Sequence, residues 1–319
     1  MQELITIIKI TKRKKIGFAA ALCILLIGGI LYSLADRYLI EHVEVTVAAP
    51  QTPSVSTSSD EAQAVPEQVE QDDWNYKSED TRIQIKKVET GTGSDMITYY
   101  VADVQLEEPA LLQAAFAKNA FGRNITEDTS TIAAENNAIF AINGDYYGFR
   151  NDGVIIRNGT LYRDEPARDA LALLSDGTMK SYNEEQLSSS ELLAEGVTNT
   201  YSFGPVLVKE GAVADDFDKV VIDTNFGNRS IQGSNPRTGV GMIAPNHYVF
   251  VVVDGRKANY SKGMTLAEFA DVFVGLGATE AYNLDGGGSS TMYFMGRVVN
   301  NPLGKQQERG VSDILYISE

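Results

Sequence analysis

Hydrophobic and polar positions divide the chain into two regimes. An uncharged apolar run covers residues 16–34, and from about Thr46 to Asp73 the chain turns polar, rich in Pro, Ser, Thr, Gln, Ala and Glu. From Trp74 onward, short apolar segments alternate with turn-forming clusters. The first run matches the roughly 20 residues needed to span a bilayer. The polar stretch has too few large apolar groups to order itself, which predicts a disordered tether. The expected organisation is a basic cytoplasmic tail over 1–15, a transmembrane anchor over 16–34, a disordered linker over 35–73 and one globular domain over 74–319. Ser33-Leu34-Ala35 resembles a small-x-small cleavage site, so a cleavable signal peptide is the rival to an anchor.

Within the globular part, residues 82–88 and 96–104 have β-type patterning on either side of Gly91-Thr92-Gly93-Ser94, which predicts an early hairpin. A helix is expected over 129–137, followed by a buried strand over 138–142 that ends at Asn143-Gly144-Asp145. Asn158-Gly159 and Asp176-Gly177 are hairpin turns. The apolar run 247–253 ends at Asp254-Gly255-Arg256. Thr265-Leu266-Ala267-Glu268 is a capping box, and Leu266, Phe269, Ala270, Phe273 and Leu276 recur at helical spacing up to a stop at Gly275 or Gly277. The next strand covers 278–284 and ends at Asp285. A last strand is expected over 312–317, with Arg309 just before it. A crossover helix of this length usually joins parallel neighbouring strands. Asp254 and Asp285 are then expected at one sheet edge, where open α/β sheets bind ligands. Asn143 and Asp145 join them if their strand lies parallel in the same sheet.

Charge and cysteine usage narrow the partners. The net charge of −16 argues against nucleic acid. The single cysteine, Cys23, lies in the apolar run, so no disulfide holds the main domain. A domain of about 240 residues can instead be stabilised by core burial. Lys9, Lys12, Arg13, Lys14 and Lys15 flank the apolar run on its N-terminal side, which predicts a cytoplasmic N-terminus and an extracellular main domain, single-pass at the cell membrane.

The densest chemistry is Tyr282-Asn283-Leu284-Asp285-Gly286-Gly287-Gly288-Ser289-Ser290-Thr291. Consecutive glycines permit close approach of another group, and Asn, Asp and hydroxyl groups crowd the same turn. The segment Asn283 to Ser290 resembles the signature of the phosphodiester glycosidase family. In family order, Asn143-Gly144-Asp145-Tyr146-Tyr147 is similar to its Asn-Gly-Gly-Phe-Phe element, with Asp145 and the tyrosines as departures. Gly204-Pro205-Val206-Leu207-Val208 resembles its Gly-Pro-x-Leu strand. Pro236-Arg237-Thr238 resembles its Pro-Arg-Thr loop, and Asp254-Gly255-Arg256 its Asp-Gly-Arg element. The resemblance covers nearly all of 80–319. It implies a single β-rich, mixed-sheet α+β domain that hydrolyses a sugar-1-phosphodiester at the anomeric C–O bond.

The residue types suit that reaction. A phosphomonoester has its second pKa near 6, so it departs with little help from a proton donor, and fixed guanidinium forks become the useful aid. Asp285 is the first candidate to activate water or stabilise an oxocarbenium-like centre, with Asp145 and Asp254 behind it and Arg237 on the phosphate. Candidate substrate-binding residues are Asn143, Gly144, Thr238, Arg256, Asn283, Ser289 and the Gly286, Gly287 and Gly288 amides, which form an anion nest in this reading. The expected ligand is a phosphate-linked, GlcNAc-like sugar or a cell-surface glycan, and no cofactor is expected. Carboxylates with neighbouring Asn side chains leave an oxygen-liganded Ca²⁺ or Mg²⁺ open, whereas a zinc site lacks Cys/His ligands. Two other readings stand beside this one, namely a phosphodiesterase that cleaves P–O and a non-catalytic glycan-binding or exopolysaccharide-assembly module.

Overall fold

The computed structural model describes residues 18, 21–36, 39–47, 69–214, 217–222 and 230–318. They belong to two compact units, Met1–His42 and Val43–Glu319.

In the first unit residues 21–36 are helical. Apolar side chains along this helix are exposed, Leu25 at 72% and Leu31 at 61% among them. Among the described residues no helix is long and apolar enough to cross a membrane. The expected basic tail lies outside the described residues, as do positions 16, 17, 19 and 20 of the expected anchor. The expected linker is partly ordered. Within 35–73 the strand His42–Thr46 pairs with Ala120–Arg123, and Glu70–Gln71 pairs with Asn75–Lys77. Residues 48–68 lie outside the described residues.

The second unit is built on two sheets packed face to face. A nine-stranded sheet has at its centre Glu280–Asn283, Arg237–Ala244, His247–Val253, Ile97–Leu106 and Thr81–Thr90, in that spatial order. A five-stranded sheet runs Arg297–Val298, Met292–Phe294, Ala138–Asn143, Asp313–Ser318 and Leu112–Phe116. Period-two alternation explains how both sheets are buried on both faces. Tyr248, Phe250 and Val252 point between the sheets with Phe140 and Ile142. Their neighbours Val249, Val251 and Val253 point the other way, onto Phe269 and Phe273 of the helix Leu266–Gly275. On the far side of the smaller sheet, Ala141 and Ile314 pack on Ile132 and Ala133 of the helix Thr129–Glu135. The result is a helix–sheet–sheet–helix sandwich, sheet-rich and α+β-like with few helices. The Phe140 and Phe250 rings meet at 5.1 Å across its centre, and each such buried side chain contributes roughly 1.5–3 kcal/mol. Gly239 and Gly241 let the helix approach, since a Cβ at either would sit within 2.9 Å or 2.8 Å of Phe269 and Phe273.

Local signals in the sequence operate as expected. Thr265 and Glu268 form the capping box at the start of Leu266–Gly275, and Gly277, at φ +82, follows its end. Asn158 and Gly159 both adopt positive φ in the turn between Gly153–Arg157 and Thr160–Glu165. The strand–helix–strand expectation needs correction. His247–Val253 and Glu280–Asn283 do run parallel, but Arg237–Ala244 lies between them, antiparallel to both. Ala138–Asn143 belongs to the other sheet. The convergence at one edge survives the change. The middle strand starts where its neighbours end, with Arg237 opposite Val253 and Gly239 opposite Asn283.

Candidate active site

A cavity of about 170 Å³ opens at this edge. Asp285 lines it together with Asn283, Arg237, Arg256 and Arg309, and Tyr146, Phe203, Ile222 and Ile231 form its aromatic and apolar lining. The Gly-rich turn explains how so many cations crowd one carboxylate. Gly287 is left-handed at φ +67, and a Cβ there would lie 3.1 Å from Arg256 Nη2. A Cβ at Gly288 would lie 3.1 Å from Arg309 Cδ, and one at Gly286 2.8 Å from the Pro236 carbonyl. The three glycines therefore admit two arginine side chains and a neighbouring loop. The Gly287 amide donates to the Pro236 carbonyl at 3.0 Å, so it is not available to the expected anion nest.

Asp285 is held from one side. Its Oδ2 accepts from Ser289 Oγ at 2.7 Å and from Arg309 Nη2 at 3.0 Å. Arg309 Nε also donates to Ser289 Oγ at 3.1 Å, which closes a three-residue ring. Oδ1 of Asp285 has no protein partner among the described residues. Arg309 keeps 48% of its side chain exposed. Arg256 is exposed, with Nη2 donating to Asn235 Oδ1 at 2.9 Å. Asn283 is 1% exposed, and its Nδ2 donates to the Gly204 carbonyl at 2.7 Å. That bond fixes the amide orientation and leaves Oδ1 buried without a partner. An orphaned buried acceptor costs about 1–3 kcal/mol, so a donor from a ligand would be favourable there.

Other expected site residues have internal commitments. Arg237 lines the cavity but is 1% exposed. Its Nε donates to the Met264 carbonyl at 3.0 Å, and its Nη2 to the Ile231 and Gly233 carbonyls at 2.6 and 2.8 Å. Burial, and next the like charge of Arg256, pull its pKa down to about 10. Asn143 and Thr238 tie the two sheets together instead of facing the cavity. Thr238 Oγ1 donates to Asn143 Oδ1 at 2.7 Å, and Asn143 Nδ2 donates to the Asp285 carbonyl at 2.7 Å. Both side chains are fully buried. Gly144 sits against Asp313, whose Oδ1 would be 2.3 Å from a Cβ there.

The three expected carboxylates are not brought together. Asp254 is 1% exposed and turns away from the cavity lining. It accepts from Tyr260 Oη at 2.6 Å, Asn300 Nδ2 at 2.8 Å and the Asn301 amide at 3.0 Å. Burial raises its pKa. Asp145, 3% exposed, accepts from the Tyr146 and Ser202 amides, both at 2.6 Å. Among the described residues no group of three or more His, Cys, Asp or Glu side chains is arranged to hold a metal ion.

Beneath Asp145 lies an ion pair that the sequence reading missed. Arg157 Nε meets Asp313 Oδ2 at 2.7 Å, with Arg157 2% and Asp313 0% exposed. Tyr201 places its ring 4.3 Å from the same guanidinium. Burial pushes the Asp313 carboxyl up to about 6 against the opposing pull of Arg157. A signal was available, because Arg157 ends the apolar run Val154-Ile155-Ile156 and Asp313 begins Ile314-Leu315-Tyr316-Ile317. A lone charge in a buried strand implies a partner. Asn235 and Phe203 were also missed as lining residues. Arg309, read from the sequence only as the residue just before the last strand, lines the cavity.

Comparison with known proteins adds the family. The family model for phosphodiester glycosidases matches residues 136–318. An SPbeta prophage-derived uncharacterized protein, YomE, of Bacillus subtilis (strain 168) is 29% identical over 245 residues, spanning 70% of this chain and 36% of that protein. N-acetylglucosamine-1-phosphodiester alpha-N-acetylglucosaminidase of Bos taurus is 28% identical over 156 residues, 45% of this chain and 29% of that protein. The chain thus spans about a third of the length of the curated relatives it matches. Among solved structures, the zebrafish enzyme of the same name, its catalytic domain auto-inhibited by pro-peptide, superposes with a TM-score of 0.59 at 20% identity. That match covers 75% of this chain and 83% of the other.

Proposed function

The chain belongs to the phosphodiester glycosidase family, and from that premise we propose that it is a hydrolase cleaving a GlcNAc-like sugar-1-phosphodiester at the anomeric C–O bond. The observation that carries this reading is the shared cavity. One carboxylate with a free oxygen, Asp285, lies beside two accessible guanidinium groups, Arg256 and Arg309, and a buried unpartnered acceptor, Asn283 Oδ1. Each has a counterpart on the substrate. Arginine forks match phosphate oxygens. Asn283 Oδ1 accepts from a sugar hydroxyl or acetamido N–H. Asp285 Oδ1 takes a proton from the attacking water or stabilises positive charge at the anomeric carbon.

In this reading water supplies the new oxygen on the anomeric carbon. The C–O bond to phosphate breaks, and its electron pair leaves on the phosphomonoester. Arg309 and Arg256 gain most as that charge develops, which is where binding accelerates a reaction. Arg237 spends Nε and Nη2 on main-chain carbonyls and keeps only Nη1 for a ligand, so in this reading the main phosphate role passes to these two residues. Asp254 and Asp145, held by the protein's own donors, leave Asp285 as the cavity's carboxylate.

We also propose attachment to a membrane, with a cell-surface glycan or its phosphate-linked decorations as the natural target. Exposure of the apolar side chains in the helix over 21–36 supports the first part, because such a surface is stable only when covered. The enzymatic reading is tested by incubating the full chain with a panel of sugar-1-phosphodiesters. Appearance of both free sugar and phosphomonoester supports it. Binding without turnover across the panel favours a glycan-binding module instead.

A further inference from the structure

The cavity's aromatic lining comes from two segments far apart in sequence, Tyr146 and Phe203, and one buried carboxylate joins them. Asp145 Oδ1 accepts from the amide of Tyr146, and its Oδ2 accepts from the amide of Ser202, the residue before Phe203. The carboxylate is anchored in turn. The Asp145 amide donates to Asp313 Oδ1 at 2.8 Å, and Arg157 Nη2 approaches Asp145 Oδ2 at 3.9 Å. The Ser202 carbonyl receives Arg150 Nη1 at 3.1 Å and Arg168 Nη1 at 3.0 Å. Arg150 then lies 5.1 Å from the ring centres of both Tyr146 and Phe203. The two rings meet edge to face at 6.1 Å. Every link fixes the two rings relative to one another and to the Asn283 edge, where Gly204 and Asn283 exchange two hydrogen bonds.

We infer that Asp145 is a positioning residue, which sets the aromatic lining against which the sugar portion of the substrate packs, and so controls substrate affinity and not bond cleavage. The inference rests on the glycosidase reading for the identity of the ligand and on the geometry for the positioning itself. Asp145 is 3% exposed, lies outside the cavity lining and has each oxygen engaged by a main-chain donor, so its role toward a substrate is indirect. A carboxylate is required because it alone accepts from two amides while meeting the charge of Arg157. Asn at this position keeps a single acceptor oxygen and breaks one of the two links.

The experiment measures steady-state kinetics on a sugar-1-phosphodiester together with amide hydrogen exchange. For Asp145→Asn the expected result is a roughly ten-fold rise in KM with kcat within about three-fold of wild type. Exchange at the Tyr146 or Ser202 amide is expected to quicken by on the order of ten-fold. Phe203→Ala should raise KM similarly, and the double variant should raise it by less than the product of the two, because both act on one lining. Should Asp145→Asn fail to fold, Asp145→Glu retains the charge against Arg157, displaces the two acceptors, and must show the same split. Loss of kcat at unchanged KM, or unaltered exchange at both amides, overturns the inference. Absence of wild-type turnover on any such substrate sinks the glycosidase reading alone, and the exchange result still decides whether Asp145 positions the lining.

Discussion

Arg309 reaches Asp285 at 3.0 Å while Ser289 bonds to both, so the cavity's carboxylate and a half-exposed cation are held as one unit. The ring leaves Asp285 Oδ1 unpaired and turns the half-exposed guanidinium toward the same opening. An arginine with half its side chain in solvent can transfer part of its hydrogen bonding to an incoming phosphate at small cost.

Replacement of Arg309 follows directly. Arg309→Ala should lower kcat/KM by about 10²-fold, in the range for loss of one transition-state donor. Arg309→Lys should recover only part of this, because an ammonium lacks the planar fork. Steady-state kinetics on a sugar-1-phosphodiester checks both. An unaltered kcat/KM in Arg309→Ala would remove it from the phosphate site.

Arg237 behaves differently. Its guanidinium ties the Met264 carbonyl to those of Ile231 and Gly233, so Arg237→Ala removes three hydrogen bonds, each contributing about 1 kcal/mol net, and leaves a cavity where a buried side chain packed. The expected signature is a large fall in Tm, with activity lost through the loop over 231–236. A variant of wild-type Tm that loses only kcat would mean Arg237 acts on substrate directly.

Asn283→Ala removes the buried unpartnered acceptor Oδ1 and the bond to Gly204. KM should rise about ten-fold, equivalent to roughly 1.4 kcal/mol, if a ligand donor fills Oδ1. Isothermal titration with the free sugar, a product of C–O cleavage, measures the same loss without turnover. Equal affinity in variant and wild type would show that Oδ1 meets no ligand.

Stability should depend on pH with an uncommon sign. Burial raises the carboxyl pKa of Asp254, Glu184 and Asp313, the last to about 6. A raised folded pKa means that the native state binds protons more tightly than the unfolded chain. The stabilisation is complete below the unfolded value of 3.8 and lost as pH rises to about 6. Asp72, Asp176, Glu191 and Glu268 have lowered pKa values and oppose the trend only toward and below the ordinary carboxylate range near 4. Tm should therefore be higher at pH 5 than at pH 7.5, and Asp313→Asn should flatten the slope even though it weakens the pair with Arg157. A Tm that rises from pH 5 to 7.5 would show that Arg157 holds Asp313 ionised throughout.

Features governed by neighbouring residues were legible in the sequence. The capping box at Thr265, the left-handed turn at Asn158-Gly159 and the hairpin around Gly91 each rest on a few adjacent residues. The strand-end position of Asp285 was legible for the same reason. Strand order was not, because the chain supplies Arg237–Ala244 before the two parallel strands it separates, and nothing local to His247–Val253 says which neighbour it takes. Which polar side chains face the cavity was not legible either. Asn143, Thr238, Asp145 and Asp254 are polar residues at strand ends whether they face a ligand or the main chain. Their partners Asp285, Ser202 and Asn300 are distant in sequence, so composition alone does not separate the two cases.

Turnover of a sugar-1-phosphodiester in oxygen-18-labelled water, by wild type and by Asp285→Asn, tests the central claim most directly. Wild type should place the label on the free sugar and none on the phosphomonoester, and Asp285→Asn, still folded, should be slower by roughly 10³-fold or more. Label on the phosphate, or an Asp285→Asn rate equal to wild type, would contradict the account.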